Sequence, residues 1–327
     1  MQQWERRRRK AKKAADIIKK KEASNITESK MTEPQPTISA SLIVKNESSC
    51  IRKSLESIKG VDEIIIVDTG STDNTIEIAK EYTDKVYYGE EYLWRDNFAF
   101  SRNQSLDLCT KDWVLIIDAD EHLEKGGMEK IRNIIKDCPK DAVYFNTVAN
   151  NNKNYIHQSI RLFKRGEIRW GGAIHNYLST TDAIKSDITL YYGYSAAHQL
   201  DPDRAFRILK KEYEFDPNTG RTNYYLAREY WYRKDYENAA KHYKQCTEHS
   251  TWNPELADAL LMLARCYWHL QRGNEAREVC SRAVIINPDF KEALEFMAEI
   301  HFEPWKHKWL EFSKIAKNEN VLFIRKK

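Results

Sequence analysis

Short apolar runs alternate with amphipathic stretches between residues 38 and 137, a pattern that predicts strands alternating with helices. The predicted strands are residues 38–44, 63–67, 85–87 and 113–117. The predicted helices are residues 48–58, 72–82 with Ser71 or Thr72 as the N-cap, 96–108 and 128–137. This order is typical of an α/β domain with a mainly parallel sheet.

The pattern changes twice further along the chain. Residues 142–198 hold β-rich segments at 142–148, 155–163, 168–170 and 188–192, which we expect to add antiparallel strands beside the parallel sheet. After Asp201 and Pro202 the chain is helical throughout and repeats with a shift of 37 residues. The matching positions are Leu226, Ala227, Tyr230, Ala239, Tyr243 and Cys246 against Leu263, Ala264, Tyr267, Ala276, Cys280 and Ala283. These positions resemble the tetratricopeptide repeat, in which small residues let paired helices pack closely.

Length and composition set the domain count and exclude several classes. With 327 residues, 41% of them apolar and 31% charged, the chain is neither wholly disordered nor collagen-like, and two domains are expected. We predict an arm and linker at residues 1–37, an α/β domain at 38–200 and an all-α repeat domain at 201–327. No apolar run approaches the length of a membrane span and no secretory signal is visible, so the sequence predicts a soluble, cytoplasmic protein without a transmembrane segment.

The net charge of +4 is unevenly distributed. Residues 1–22 carry a local charge of +7, and the rest of the chain sums to −3. This basic arm can bind nucleic acid or an anionic membrane surface, or it can be a solvated tail. The six cysteines form no short-spaced pair, which predicts ordinary thiols rather than disulfides or a zinc site.

Polar residues follow the first two predicted strands. Val44, Asn46 and Glu47 lie at the end of the first, and Asp68 to Asp73 at the end of the second. Ligands of open α/β sheets bind outside the carboxyl ends of the strands, where Asp68 can accept from a base or ribose and Gly70 allows close approach. The alternative is an Asx-type turn followed by a helix cap.

A pair of carboxylates follows the apolar strand at residues 113–117. Asp118 and Asp120 are two positions apart, so both can point to one side and hold one hard cation with a diphosphate. Mg²⁺ or Mn²⁺ suits such a site, because each keeps open positions for phosphate oxygens and water.

These motifs together resemble family 2 glycosyltransferases of the GT-A fold, through LIVKNE, IIIVDTGSTDNT, WRDNFAFSRNQSL and LIIDADE. Trp94, Asp96, Phe98, Arg102 and Asn103 resemble the signature of the branch with C-terminal tetratricopeptide repeats, which includes sublancin-type peptide S-glycosyltransferases. The resemblance implies transfer of a sugar from a nucleotide donor, usually UDP-linked, with inversion. The nucleotide-sugar contacts expected by position are Val44, Asn46, Glu47, Asp68 to the uracil, Gly70, Ser71, Asp73, Asp96, Arg102, Asn103, Asp118 on the ribose side, and Ala119.

The same resemblance suggests the metal ligands and exposes a departure. Asp120 and His198 would hold Mn²⁺ or Mg²⁺. Related proteins carry Gly-x-x-His-Glu where this chain has GGAIHN at residues 171–176. The glutamate expected to act as the base is therefore replaced by Asn176, whose amide cannot serve as a general base. His175 can take that role, another carboxylate such as Glu121 or Glu167 can, or the acceptor can be acidic enough to need little help.

The resulting hypothesis is a metal-dependent glycosyltransferase that moves a sugar from a UDP-sugar to a peptide or protein side chain, a glycan or a modified DNA base. The acceptor is expected near the repeats, which can also form a homodimer. The alternatives are a catalytically inactive scaffold, suggested by Asn176, and a nucleotidyltransferase, since the same sheet and paired aspartates suit that chemistry.

Overall fold

The structure is a computed structural model, and it describes residues 35–150, 152–193 and 201–316. The basic arm and His198 lie outside these residues. The strands are β1 Ile38–Val44, β2 Glu63–Asp68, β3 Val86–Tyr87, β4 Trp113–Ile116, β5 Glu121–Leu123, β6 Ala142–Ala149, β7 Asn152–Lys164, β8 Trp170–Gly171, β9 Tyr177–Leu178 and β10 Ile184–Tyr192. The α-helices are α1 Ile51–Ser57, α2 Thr75–Lys80, α3 Phe98–Leu108, α4 Gly127–Lys136, α5 Arg204–Phe215, α6 Gly220–Tyr232, α7 Tyr236–His249, α8 Asn253–His269, α9 Gly273–Ile286, α10 Lys291–Ile300 and α11 Trp305–Ile315.

Eight strands form one mixed sheet in the order β3-β2-β1-β4-β7-β6-β10-β5. Strand β1 is parallel to both β2 and β4, while β7 is antiparallel to its neighbours β4 and β6. Strands β8 and β9 form a separate antiparallel pair. The central strand β1 is buried along nearly its whole length, as a strand covered on both faces requires. The predicted class, an α/β domain with a mainly parallel sheet followed by helical repeats, is confirmed.

Two strand predictions differ from the structure. Strand β10 pairs parallel with β6, where an antiparallel addition was expected. The acidic turn after β4 runs into the short strand β5, which crosses to the far edge of the sheet and pairs with β10. Pairing partners this distant in sequence leave no local pattern, and three residues are too few for alternation to show.

Helices α5 to α11 pack against one another in succession. Their core is built from small residues at repeat positions, such as Ala227, Ala239, Ala264 and Ala276, all fully buried. Small side chains let neighbouring helices approach closely, which is how repeats of this kind stack. No helix among the described residues is long and apolar enough to cross a membrane. All six cysteines are free thiols, as predicted.

Candidate donor-binding site

A cavity of about 270 Å³ lies at the carboxyl ends of β1, β2 and β4, where parallel strands of an open sheet present their loops. Its walls come from both the sheet domain and the first turn of α5. The lining residues are Ile43, Val44, Lys45, Asn46, Glu47, Thr69, Trp94, Phe98, Arg102, Asp118, Ala119, Asp120, Asp201, Arg204 and Arg207. Six of the predicted nucleotide-sugar contacts are therefore brought together: Val44, Asn46, Glu47, Arg102, Asp118 and Ala119.

Asp118 and Asp120 both line the cavity, as their spacing after β4 led us to expect. Arg102 donates to Asp118 Oδ1 at 2.7 Å, and Arg161 lies 3.7 Å from Oδ2. The backbone N–H of Asp118 donates to Glu121 Oε2 at 2.9 Å. Asp118 is thus fixed from three directions, and its carboxylate is shared between the cavity and two guanidinium groups.

Glu121 lies behind this carboxylate pair and outside the cavity. Its side chain is 4% exposed, and its Oε1 accepts from Arg161 Nη2 at 2.6 Å. Burial raises the pKa of Glu121 to about 7. A carboxylate held by Arg161 and by the backbone of Asp118 stabilises the acidic loop, and it does not line the cavity.

Asp68 is buried at the end of β2, directly beside the cavity residue Thr69. Its Oδ1 accepts from the backbone N–H groups of Gly70 and Ser71, both at 2.9 Å. Its Oδ2 is also buried and has no hydrogen-bond partner in the part of the chain that the structure describes. A buried carboxylate oxygen without a partner is costly, so this atom is suited to a donor group from a ligand or water.

The loops after β1 and β2 are tied together by side chains from both. Asn46 Oδ1 accepts from the Thr72 N–H at 2.7 Å, and the Asn46 N–H donates to Ser71 Oγ at 2.8 Å. Asp73 Oδ2 accepts from the Ser48 N–H at 3.1 Å. Ser71 and Asp73, predicted as nucleotide contacts, therefore brace the loops in the structure, as the Asx-turn alternative implies. Helix α2 begins later than predicted, with Asn74 and not Ser71 or Thr72 as its N-cap.

Asp96 and Asn103 lie outside the cavity at the strand ends, which we call the donor cavity. Asp96 accepts from Arg207 at 3.1 Å and from Lys211 at 2.6 Å, both on α5, and from Trp94 Nε1 at 3.0 Å. Asn103 exchanges two hydrogen bonds with the backbone of Trp170. The signature residues Asp96 and Asn103 thus hold the repeat domain and β8 in place, whereas Arg102 reaches the cavity.

The loop after β8 carries His175 and Asn176, and helices of the repeat domain hold it. The His175 ring stacks on Tyr225 with 3.8 Å between ring centroids, and its carbonyl accepts from Arg221 Nη2 at 2.9 Å. Burial of the ring, with Arg228 and Arg221 nearby, lowers the pKa of His175 to about 3. Asn176 Nδ2 donates to the Gly172 carbonyl at 3.0 Å, which closes the loop. Neither side chain lines the donor cavity.

A second, larger cleft of about 690 Å³ opens between α3, this loop and helices α5 and α6. Asp96, Asn103 and Glu212 are among its polar residues, and Phe100, Trp170 and Tyr225 among its aromatic ones. Glu212 accepts a hydrogen bond from the Ala173 N–H, which ties the loop to α5. Trp94 and Phe98 line the cavity at the strand ends, and residues 95–97 between them line this cleft, so both spaces border one short stretch of chain.

The residues present are compatible with a divalent cation. Asp118 and Asp120 are oxygen ligands of the kind that Mg²⁺ and Mn²⁺ prefer, and they share one cavity wall. Among the described residues no group of three His, Cys, Asp or Glu side chains is arranged to hold a metal. The predicted ligand His198 falls outside those residues.

Three cavity residues were missed from the sequence: Asp201, Arg204 and Arg207. They lie in the segment DPDRAFR, which was interpreted as the start of a separate domain. Two arginines one helical turn apart beside two aspartates were the available signal, since such a turn presents both cations on one face.

Comparisons with known proteins agree with this architecture. Residues 39–197 match the family model described as Glycosyl transferase family 2, and residues 230–300 match a tetratricopeptide repeat model. The SPbeta prophage-derived glycosyltransferase SunS of Bacillus subtilis is 26% identical over 257 residues, which cover 73% of this chain and 60% of that protein. This chain therefore spans about 60% of the length of that relative.

Two further comparisons cover different shares of the chain. A glycosyltransferase of Rickettsia conorii is 40% identical over 107 residues, which cover 32% of this chain and 36% of that protein. The crystal structure of S. aureus TarS 1-349 aligns with a TM-score of 0.41 and 12% identity, covering 85% of this chain and 89% of that one. The resemblance found in the motifs is confirmed by the family models, because residues 39–197 match glycosyltransferase family 2 and residues 230–300 match tetratricopeptide repeats.

Proposed function

We propose that this protein is a metal-dependent, inverting glycosyltransferase that uses a UDP-sugar. The observation that carries the proposal is the cavity at the strand ends, where the two acidic-loop carboxylates face an aromatic pair and three arginines. The rings of Trp94 and Phe98 pack edge to face with 4.5 Å between their centroids, and they offer an apolar surface to a base or sugar. The opposite charges suit a diphosphate and a divalent cation together.

Residues in and beside the cavity have proposed roles in binding the donor. Asp68 accepts the uracil N–H with its unpartnered oxygen, and Gly70 keeps the loop open beside it. Asp118, oriented by Arg102, holds the ribose side. Asp120 and His198 hold Mn²⁺ or Mg²⁺, which when bound supplies positive charge to the leaving diphosphate.

The structure favours an acceptor that needs no strong base. His175 is a weak base when its pKa is about 3, and Glu121 is enclosed by Arg161 and the Asp118 backbone. Glu167 is exposed on the turn before β8. A thiol, with an ordinary pKa near 8.5, ionises far more readily than a hydroxyl group. We therefore propose a cysteine side chain of a peptide or protein as the acceptor, bound near the repeats in the second cleft.

The experiment is an assay of UDP release from a panel of UDP-sugars, with cysteine-containing and serine-containing peptides as acceptors. We expect release only with Mn²⁺ or Mg²⁺, faster with the thiol, and abolished by chelator and by Asp120→Ala. His175→Ala should retain most of the turnover with a thiol acceptor, because its neighbours already disfavour the protonated ring. A loss of several orders of magnitude would return the role of base to His175.

Other outcomes identify the alternatives. Binding of UDP with Mn²⁺ but no transfer to any acceptor favours an inactive scaffold, which is the alternative that Asn176 suggests. Release of pyrophosphate in place of UDP favours a nucleotidyltransferase. Full turnover by Asp120→Ala contradicts the metal role.

A further inference from the structure

The donor cavity is closed on one side by the repeat domain. Arg204 is the first residue of α5, half-buried at the cavity wall, with its guanidinium 5.2 Å from the centre of the Phe98 ring. This places a cation of the repeat domain in the same cavity as the acidic loop that follows β4.

The three cavity arginines differ in how they are paired. Arg102 is paired with Asp118, and Arg207 is paired with Asp96 and Asp201. Arg204 makes no ion pair with any residue in the described ranges, and its guanidinium lies over the Phe98 ring face. Burial lowers the pKa of Arg204, and Arg207 reinforces this effect, while the nearby carboxylates of Asp201, Glu47 and Asp96 oppose it. Arginine nevertheless stays charged, so a half-buried charge is left for an anion to neutralise.

The position of Arg204 is fixed by its neighbour one turn later. Arg207 and Lys211 both bind Asp96, which anchors the first two turns of α5 to the sheet domain. Side chains three apart lie on one helix face, so the anchored Arg207 holds Arg204 toward the cavity. A guanidinium fork held this way matches the oxygens of a phosphate group.

We infer that Arg204 of the repeat domain binds the diphosphate of the nucleotide-sugar donor, so that the donor site is complete only when the repeat domain is docked. This inference rests on the proposed function. Arg204 is a positioning residue for the donor, and its contact stabilises the negative charge that remains on the nucleoside diphosphate after sugar transfer.

The test is calorimetric titration of the full chain with UDP and with uridine in the presence of Mn²⁺. We expect Arg204→Met to weaken UDP binding roughly 10- to 100-fold, which is the usual contribution of a hydrogen bond between charged groups. Uridine binding should stay the same. Lys210→Met is the matched control, because Lys210 lies on the same helix but is exposed and outside the cavity. It should bind UDP like the wild type.

Each remaining outcome has a defined meaning. Equal UDP affinity for wild type and Arg204→Met overturns the inference and leaves the proposed function standing. Equal losses for UDP and uridine also overturn it, since the contact would then not be to the phosphates. If wild type binds neither ligand, the proposed function fails and the inference with it. Should Arg204→Met fail to fold, Arg204→Gln, which keeps a polar head, carries the same expectation.

Discussion

At the scale of single residues, Asp68 best illustrates how the site is prepared for a ligand. One carboxylate oxygen accepts two backbone N–H groups, which fixes the side chain, and the other oxygen is buried without a partner among the described residues. A fixed acceptor without a donor selects ligands that bring one. The N3–H of uracil is such a donor, whereas the N3 of cytosine is an acceptor.

This geometry gives a prediction about base selectivity. Asp68→Asn keeps the oxygen that binds Gly70 and Ser71 but places an NH₂ group where the unpartnered oxygen was. We expect UDP affinity to fall by about tenfold or more, and CDP affinity to fall less or to rise. Competition titrations with both nucleotides measure the ratio, and an unchanged melting temperature controls for folding. A variant that still prefers UDP as strongly as the wild type would contradict the assignment.

At the scale of helices and strands, the sequence predicted the elements whose formation depends on residues close together in the chain. Strand β1 was predicted to the residue, because its mostly apolar sequence, ISASLIV, is bounded by the polar residues Thr37 and Lys45. Helices α1, α2 and α3 begin two or three residues later than predicted. Before α1 and α2 the Ser48 N–H donates to Asp73 across the loops, and before α3 Asn97 accepts from the Phe100 N–H as the N-cap. The repeat helices were predicted from spacing alone, because small residues recur where helices touch.

One buried histidine in these helices makes the repeat domain sensitive to acid. His242 on α7 is 3% exposed, its Nδ1 lies 2.9 Å from Asn223 Oδ1, and its ring stacks on Tyr230. Burial, with Lys241 nearby, lowers the pKa of His242 to about 4. Because the unfolded chain binds this proton near pH 6.5, stability is fully present above pH 6.5 and is lost as the pH falls toward 4.

We expect protonation of His242 to lower the free energy of unfolding by about 2 kcal/mol between pH 6.5 and 5. His242→Asn, whose amide can still reach Asn223, should be less stable at pH 6.5 but should lose less on acidification. Urea unfolding at both pH values measures the difference. His307→Asn serves as the control at an exposed histidine. Equal acid sensitivity in wild type and His242→Asn would show that His242 is not the responsible group.

At the scale of the whole molecule, Asp96 joins the two domains. Its carboxylate, 16% exposed, binds Arg207 and Lys211 of α5, and these contacts hold its pKa well below the usual range. We expect Asp96→Asn to cost about 1–3 kcal/mol of unfolding free energy and to let the repeat domain unfold separately. Asp187→Asn, which loses an exposed ion pair with Lys130, should cost much less, because solvent screens exposed pairs. Equal costs in urea unfolding would mean that Asp96 does not join the domains.

The site combines residues of two domains, which explains which of its residues could be predicted from the sequence and which could not. Asp118, Asp120 and Asn46 were recognised because each follows a strand in one continuous motif. Arg204 and Arg207 were missed because their helix belongs to the repeats, and only docking of the two domains brings them to the strand ends. His175 was one candidate for the base because an unperturbed histidine has a pKa near neutrality, and the burial and two arginines that lower the pKa of His175 come from helix α6 and its packing.

The central claim is that the cavity at the strand ends binds a nucleoside diphosphate through a metal held by the acidic loop. Calorimetric titration of UDP into the wild type and Asp120→Ala, each with and without Mn²⁺, tests it most directly. The account predicts tight binding by the wild type only with Mn²⁺, and binding by Asp120→Ala that Mn²⁺ does not improve. Metal-independent binding by the wild type, or an equal gain from Mn²⁺ in both proteins, would contradict it.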